Sequence, residues 1–239
     1  MNQFQSQFQS NTGAVEASFT SESTRKFLLN VYNWMAMGLA LTGVIAWGIS
    51  GSSFAEVLFN NSFLFFGIVI LQLGVVIGLT FAIKKMSAVV AIGAFFFYSA
   101  LTGLTMASIF LIYTGTSIAS TFFICAAMFG SVSVFGYVTK MDLSKFGTFF
   151  FMGLIGLIIA SVVNIFLNSP TLYWIISYAG VLIFVGLTAY DTQRIKKMSQ
   201  SMDFDTEDGK KAAVMGSLML YLDFINMFLF LLRIMGDRK

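Results

Sequence analysis

Two acidic residues stand apart from the rest. Most Asp and Glu side chains lie in polar stretches, but Asp191 ends an apolar run in Gly186-Leu-Thr-Ala-Tyr-Asp191-Thr-Gln-Arg194. Asp223 falls in the middle of another, in Leu218-Met-Leu-Tyr-Leu-Asp223-Phe-Ile-Asn226. A charge in the centre of a bilayer costs about 2.5–3.5 kcal/mol on insertion scales, so such residues usually face the bundle interior or water and usually have a function. Thr188 precedes Asp191 by one turn, and Asn226 follows Asp223 by one turn, which draws a narrow polar stripe on each helix. Should the two carboxyls meet, they cannot both ionise comfortably and would share a proton. Protonated, they can bridge and hold their helices together. Deprotonated, they repel, admit water and attract a cation such as Ca²⁺, for which Asp191 and Asp223 are the candidate transient ligands. The alternative is structural: Asp191 as an interfacial residue paired with Arg194 or Lys197, and Asp223 as a protonated packing residue.

Around this pair the sequence offers five candidate latch partners: Lys84, Lys85, Gln72, Arg194 and Asn226. The two lysines also read as ordinary interfacial anchors, and Gln72 and Asn164 as hydrogen-bonding glue between helices. Gly130, Gly136, Gly153 and Gly156 are candidates for close helix packing. The chain contains no histidine, so any proton sensing falls to carboxylates. Its one cysteine, Cys125, lies in an apolar run and reads as a small buried hydrophobe. The acidic group Asp203, Asp205, Glu207 and Asp208 lacks the spacing of an EF-hand and reads as a solvated loop.

The elements that must position these residues are membrane helices. Of 239 residues, 57% are hydrophobic and only 10% charged, with mean hydropathy +0.84. A soluble core cannot hide that much apolar surface. Apolar runs predict crossings at about 27–50, 61–83, 87–111, 117–139, 146–167, 171–191 and 212–233, each long enough for ~30 Å of hydrocarbon. The fold class is therefore all-α integral membrane, a seven-transmembrane-helix bundle. Residues 1–26, polar and rich in Gln, Ser and Asn, predict a disordered tail. Residues 192–211 predict a charged loop. A net charge of +3 argues against nucleic acid as a partner.

Charge placement predicts orientation. Of the fourteen Lys and Arg residues, eleven fall at one end of the predicted bundle: Arg25, Lys26, Lys84, Lys85, Lys140, Lys145, Arg194, Lys196, Lys197, Lys210 and Lys211. The loops at the other end carry only Glu56. The positive-inside rule then places the N-terminus and the 192–211 loop in the cytoplasm. Arg233, Arg238 and Lys239 break the pattern, because seven crossings put them outside. Depth is a further constraint. Asp191 lies ~5–9 Å from the basic end of the sixth run and Asp223 ~15–18 Å from Lys211, so they meet only where the seventh helix starts inside the cytoplasm or tilts.

Several segments together resemble the Bax-inhibitor, or transmembrane Bax-inhibitor-motif, family. They are Gly186–Lys196, Tyr98–Thr105 with Ser108–Tyr113, Phe129-Gly130 through Gly136–Ser144, and Leu222–Arg233. The resemblance spans roughly residues 23–236 and is closest to bacterial members. It implies a bundle whose last helix is central, wrapped by the other six, and a pH-sensitive calcium leak gated by an aspartate pair, here Asp191 and Asp223. It also implies no enzymatic activity, no cofactor beyond Ca²⁺ as a transported ion, and a place in the bacterial cytoplasmic membrane. Some members carry a helix-2 glutamate and an arginine at the gate, where this chain has Gln72 and Lys84 or Lys85. The alternative function is a non-conducting regulator of a membrane-bound AAA protease or of a cell-death or stress-response partner. A third reading, an intramembrane aspartyl protease, lacks the G-x-G-D motif: the residues before Asp223 are Tyr221 and Leu222.

Overall fold

The structure, a computed structural model, describes residues 2–239, with side chains from Glu22 onward. Its helices are α1 (Asn2–Ser50), α2 (Ser53–Asn60), α3 (Ser62–Ala82), α4 (Ala88–Ile112), α5 (Gly115–Val138), α6 (Gly147–Leu167), α7 (Pro170–Ser201) and α8 (Glu207–Met235). Seven of them are long and apolar enough to cross a membrane; α2 is a short helix inside the break predicted between the first two crossings. The chain is thus a multi-pass α-helical membrane protein. Helix starts follow local chemistry. Asn61, Ser87, Thr114, Ser169 and Thr206 each accept a hydrogen bond from a backbone N–H three residues on, which satisfies a donor the helix leaves free. Pro170 opens α7, where its missing N–H is harmless. Asn168 closes α6 in the left-handed region at φ 47°.

Burial sorts the helices into layers. In the most apolar window of α8, 56% of residues are buried, against 6% in α3 and 6% in α6. Helix α8 is the core of the bundle and packs mainly on α1, α4, α5 and α7. Four helices, rather than six, form its close wall; α3 leans on α4 and α6 on α7, with most of their circumference left to lipid. With no hydrophobic drive between helices in lipid, close approach and hydrogen bonds hold the bundle. Ser217 of α8 donates to the Val31 carbonyl of α1 at 2.9 Å. Thr42 of α1 donates to the Ser99 carbonyl of α4 and lies 2.6 Å from the Tyr221 hydroxyl of α8. At Gly136 of α5 an added Cβ would lie 2.5 Å from the Ala189 carbonyl oxygen of α7. Gly153 likewise faces Ile183, but Gly130 and Gly156 have nothing within 4 Å and perform no such packing.

Two expectations change at the basic end. The 192–211 segment is mostly helix: α7 continues to Ser201 and α8 begins at Glu207, leaving only residues 202–206 as a turn. The first part of the predicted tail, residues 1–21, lies outside the residues described with side chains. Its last part, 22–26, is helical and bound: Ser23 donates to Asp203, Thr24 to the Ser199 carbonyl, and Lys26 pairs with Asp205 at 2.7 Å. The acids of the turn are shared out among different partners, Glu207 accepting from the Ala88 N–H and Asp208 pairing with Lys211. At the opposite end the chain terminus lies on the α4–α5 turn, where Thr114 N–H donates to the Asp237 carbonyl and Lys239 N–H to that of Ile112. The last helix therefore runs from the 202–206 turn to the level of the α4–α5 turn.

Candidate functional site

Helices α7 and α8 run antiparallel, and two contacts set their register. Gly216 sits against Ile195, and Gly180 against Phe230. With that register the level of Asp191 on α7 corresponds to Leu220 on α8, about one turn or ~4.5 Å along the axis from Asp223. No hydrogen bond joins the two carboxyls, and Asp223 Oδ2 has no partner. Asp191 is 9% and Asp223 4% exposed. The depth problem raised by the sequence is resolved by the helical extensions. Asp191 lies ~15 Å from the end of α7 and Asp223 ~24 Å from the start of α8, and the extra turns of both helices project together at the basic end.

Above the pair, toward the basic end, is a cavity of ≈ 550 Å³ lined by Ile83, Lys84, Arg194, Asp208, Lys211 and the methionines 198, 202, 215 and 219. Arg194 is three residues beyond Asp191 on α7, and Met219 four residues before Asp223 on α8. Each aspartate therefore lies one helical turn beneath the lining residues of its own helix. Flexible methionines make a wall that repacks readily.

Buried polar atoms without a partner lie on α5, α7 and α8, Thr121 Oγ1 of α5 among them. Ser133 Oγ on α5, Thr192 Oγ1 on α7 and Asp223 Oδ2 on α8 have none. Such atoms call for water, an ion or a functional reason. Among the described residues no group of three or more His, Cys, Asp or Glu side chains is gathered as a metal set would be.

Of the candidate partners, Lys84 and Arg194 line the cavity, whereas Lys85 is exposed and not part of the lining. Gln72 is engaged elsewhere, donating to Thr105 on α4 at 3.1 Å, the interhelical glue that its type suggests. Asn226 donates back to the Leu222 carbonyl of its own helix at 2.8 Å. Asn164 accepts from the Ser169 N–H and closes the α6–α7 turn. Lys197 does not pair with Asp191: it reaches Asp142 at 3.0 Å and Ser144 at 2.9 Å. That salt bridge, with the Ser144 hydrogen bonds, holds the Asp142 carboxyl down at about 2.

Sequence reasoning missed the function of Gln193. Its Nε2 donates to the Met141 carbonyl at 2.8 Å, and its Oε1 accepts from the Leu143 N–H at 2.9 Å. Lys196 donates to the Tyr137 carbonyl at 2.7 Å and lies over that ring. The segment Gln193–Lys197, two residues past Asp191, clamps the α5–α6 connection to α7. A buried amide on a helix face was the available signal, but its partners are fifty residues away in sequence.

Residues 24–239 match the family described as "Inhibitor of apoptosis-promoting Bax1". The chain belongs to this Bax-inhibitor family. It is 51% identical over 215 residues to "Inner membrane protein YbhL" of Escherichia coli strain K12, covering 89% of this chain and 92% of that protein. It is 47% identical to an uncharacterized protein of Borreliella burgdorferi, over 90% of this chain and 93% of the relative. An uncharacterized membrane protein of Streptococcus pyogenes serotype M1 is 35% identical over 88% of this chain and 92% of its own length. The family membership covers all seven crossings, and with them both aspartates, the methionine-lined cavity and the Gln193 clamp.

Proposed function

We propose that this Bax-inhibitor protein is a proton-regulated cation leak, with Ca²⁺ the ion to test first, and that Asp191 and Asp223 are its gate. The reading rests on one observation: two buried carboxyl groups on adjacent core helices, one turn apart, beneath a cavity that opens at the basic end. A shared proton lets the carboxyls bridge α7 to α8; its loss makes them repel and draws in water. Ca²⁺ prefers about six to eight oxygen ligands. Two carboxyls alone make a passing contact for it rather than a storage site, which suits a leak. Arg194, one turn from Asp191, lies in the wall of that cavity. The vestibule faces the cytoplasm under the positive-inside rule, and the membrane is the bacterial inner membrane by likeness to YbhL.

The test is Ca²⁺ entry into liposomes holding the purified protein, from pH 6 to 8, with Asp191→Asn and Asp223→Asn alongside. Flux that changes with pH in the wild type and loses that change in both variants supports the gate. No flux at any pH from folded protein overturns it, and transfers the function to a non-conducting regulator of a membrane protease or stress-response partner.

A further inference from the structure

The end of the bundle opposite the basic loops carries a second polar cavity, unrelated to the aspartates. It holds ≈ 510 Å³ between the α6–α7 turn and the end of α8, with Arg233, Arg238, Tyr173, Trp174, Asn164 and Asn168 in its wall. A narrower space of ≈ 300 Å³ shares Asn164, Tyr173 and Arg233 and continues one turn deeper along α6 and α7 to Ser161 and Ile176. No carboxylate lines either space.

Both guanidiniums converge on one ring. Arg233 lies 5.8 Å and Arg238 6.0 Å from the Tyr173 centroid, and Arg238 also donates to the Tyr173 hydroxyl at 3.2 Å. Arg233 also lies over Phe230, and among the described residues neither arginine has an acidic partner. The acid nearest in sequence, Asp237, is turned away, accepting from the Ser117 hydroxyl. The flank open to the surroundings is apolar and exposed: Ile165, Phe166 and Leu167 on α6, and Trp174 stacked on Tyr178 on α7. Aromatic rings of this kind sit at headgroup level. These arginines also break the charge asymmetry of the chain. The site is therefore a double cation with no acidic partner among the described residues, with a smaller space below it that ends on Ser161, Ile165 and Ile176.

We infer that this cleft binds an anionic phospholipid, with the headgroup phosphate between Arg233 and Arg238 and an acyl chain in the slot toward Ser161 and Ile176. The guanidinium fork matches phosphate oxygens. At a membrane surface the abundant anion is a lipid phosphate, held there by its acyl chains. The two tyrosine-stacked arginines are already oriented, so little further ordering is needed on binding.

The test is native mass spectrometry of the full-length protein titrated with dioleoylphosphatidylglycerol or dioleoylphosphatidylcholine. The wild type is expected to retain one phosphatidylglycerol at least about tenfold more tightly than phosphatidylcholine: both offer the same phosphate, but the choline cation of the second is repelled by the two guanidiniums. Arg233→Gln with Arg238→Gln removes that lipid. Lys84→Gln with Lys85→Gln, an equal charge loss at the other end, keeps it. Ser161→Phe, which fills the slot and leaves the arginines, also weakens retention and decides the matter should the double arginine variant not fold. Unchanged retention in the arginine variant, or in Ser161→Phe, overturns the inference. So does displacement of the lipid by millimolar inorganic phosphate, which would make the cleft a free-anion site.

Discussion

Asp223 has a buried oxygen with no hydrogen-bond partner at the centre of the bundle core. Leaving such an atom unpaired costs about 1–3 kcal/mol. A chain selected for packing alone would place an apolar residue there. Asp223→Leu is therefore expected to raise the thermal midpoint in detergent while abolishing pH-dependent flux. A lower midpoint would mean that the carboxyl is structural. Asp142 provides a contrast. Its carboxyl is depressed to about 2 by Lys197, so the stability it adds is present above its ordinary value of 3.8 and is lost only as pH falls through about 2. It stays ionised throughout pH 6–8. Asp142→Asn is expected to leave the pH profile of flux between 6 and 8 in place, and a shifted profile would move the sensor to the α5–α6 loop.

At the scale of the element, α7 is a lever with a clamp at one end. Gln193 ties the 139–146 connection to α7 two residues past Asp191, so α5, α6 and α7 are joined at that end. Gln193→Glu keeps an acceptor for the Leu143 N–H but sets an oxygen against the Met141 carbonyl. It is expected to destabilise by about 1–2 kcal/mol, from one lost hydrogen bond and the exposed mismatch. Faster tryptic cleavage at Lys140 and Lys145 would report the loosened loop; an unchanged rate would leave the clamp without mechanical importance. Gly136 sets the spacing of α5 and α7. Any side chain there meets the Ala189 backbone, which cannot swing away. Gly136→Val is expected to lower stability by about 1–3 kcal/mol through overpacking, read as a lower thermal midpoint. Gly130→Ala, facing open space, should not lower it.

For the molecule as a whole, Ser23–Lys26 and Asp237–Lys239 lie at opposite ends of the bundle. Residues Ser23–Lys26 bind the 203–206 turn, while Asp237–Lys239 bind the α4–α5 turn. The charge asymmetry predicts a cytoplasmic side for the first group. Single cysteines at Ser201 and Asn168, in a Cys125→Ala background, are expected to label from the cytoplasmic and the outer side respectively. Labelling of both from one side would contradict seven crossings. Cys125 itself is fully buried and packs on α8, so its removal should not expose new surface chemistry.

Much of this protein was determined by its sequence taken alone. Hydrophobic run length set the number of crossings, because a bilayer admits only segments long enough to span it with every backbone group paired. The spacing of basic residues set which turns share an end. The rarity of carboxylates in apolar runs singled out Asp191 and Asp223. Tertiary structure decided the rest, because it depends on neighbours distant in the chain. Apolar runs look alike whether they face lipid or protein, so only packing made α8 the core and left α3 and α6 outside. Helix ends beyond the bilayer carry polar residues that read as loop, and only the paired extensions of α7 and α8 brought the two aspartates to nearly one level. Gln72 and Gln193 are the same residue type in helices. Register alone sent one to Thr105 as glue and the other to the 139–146 connection.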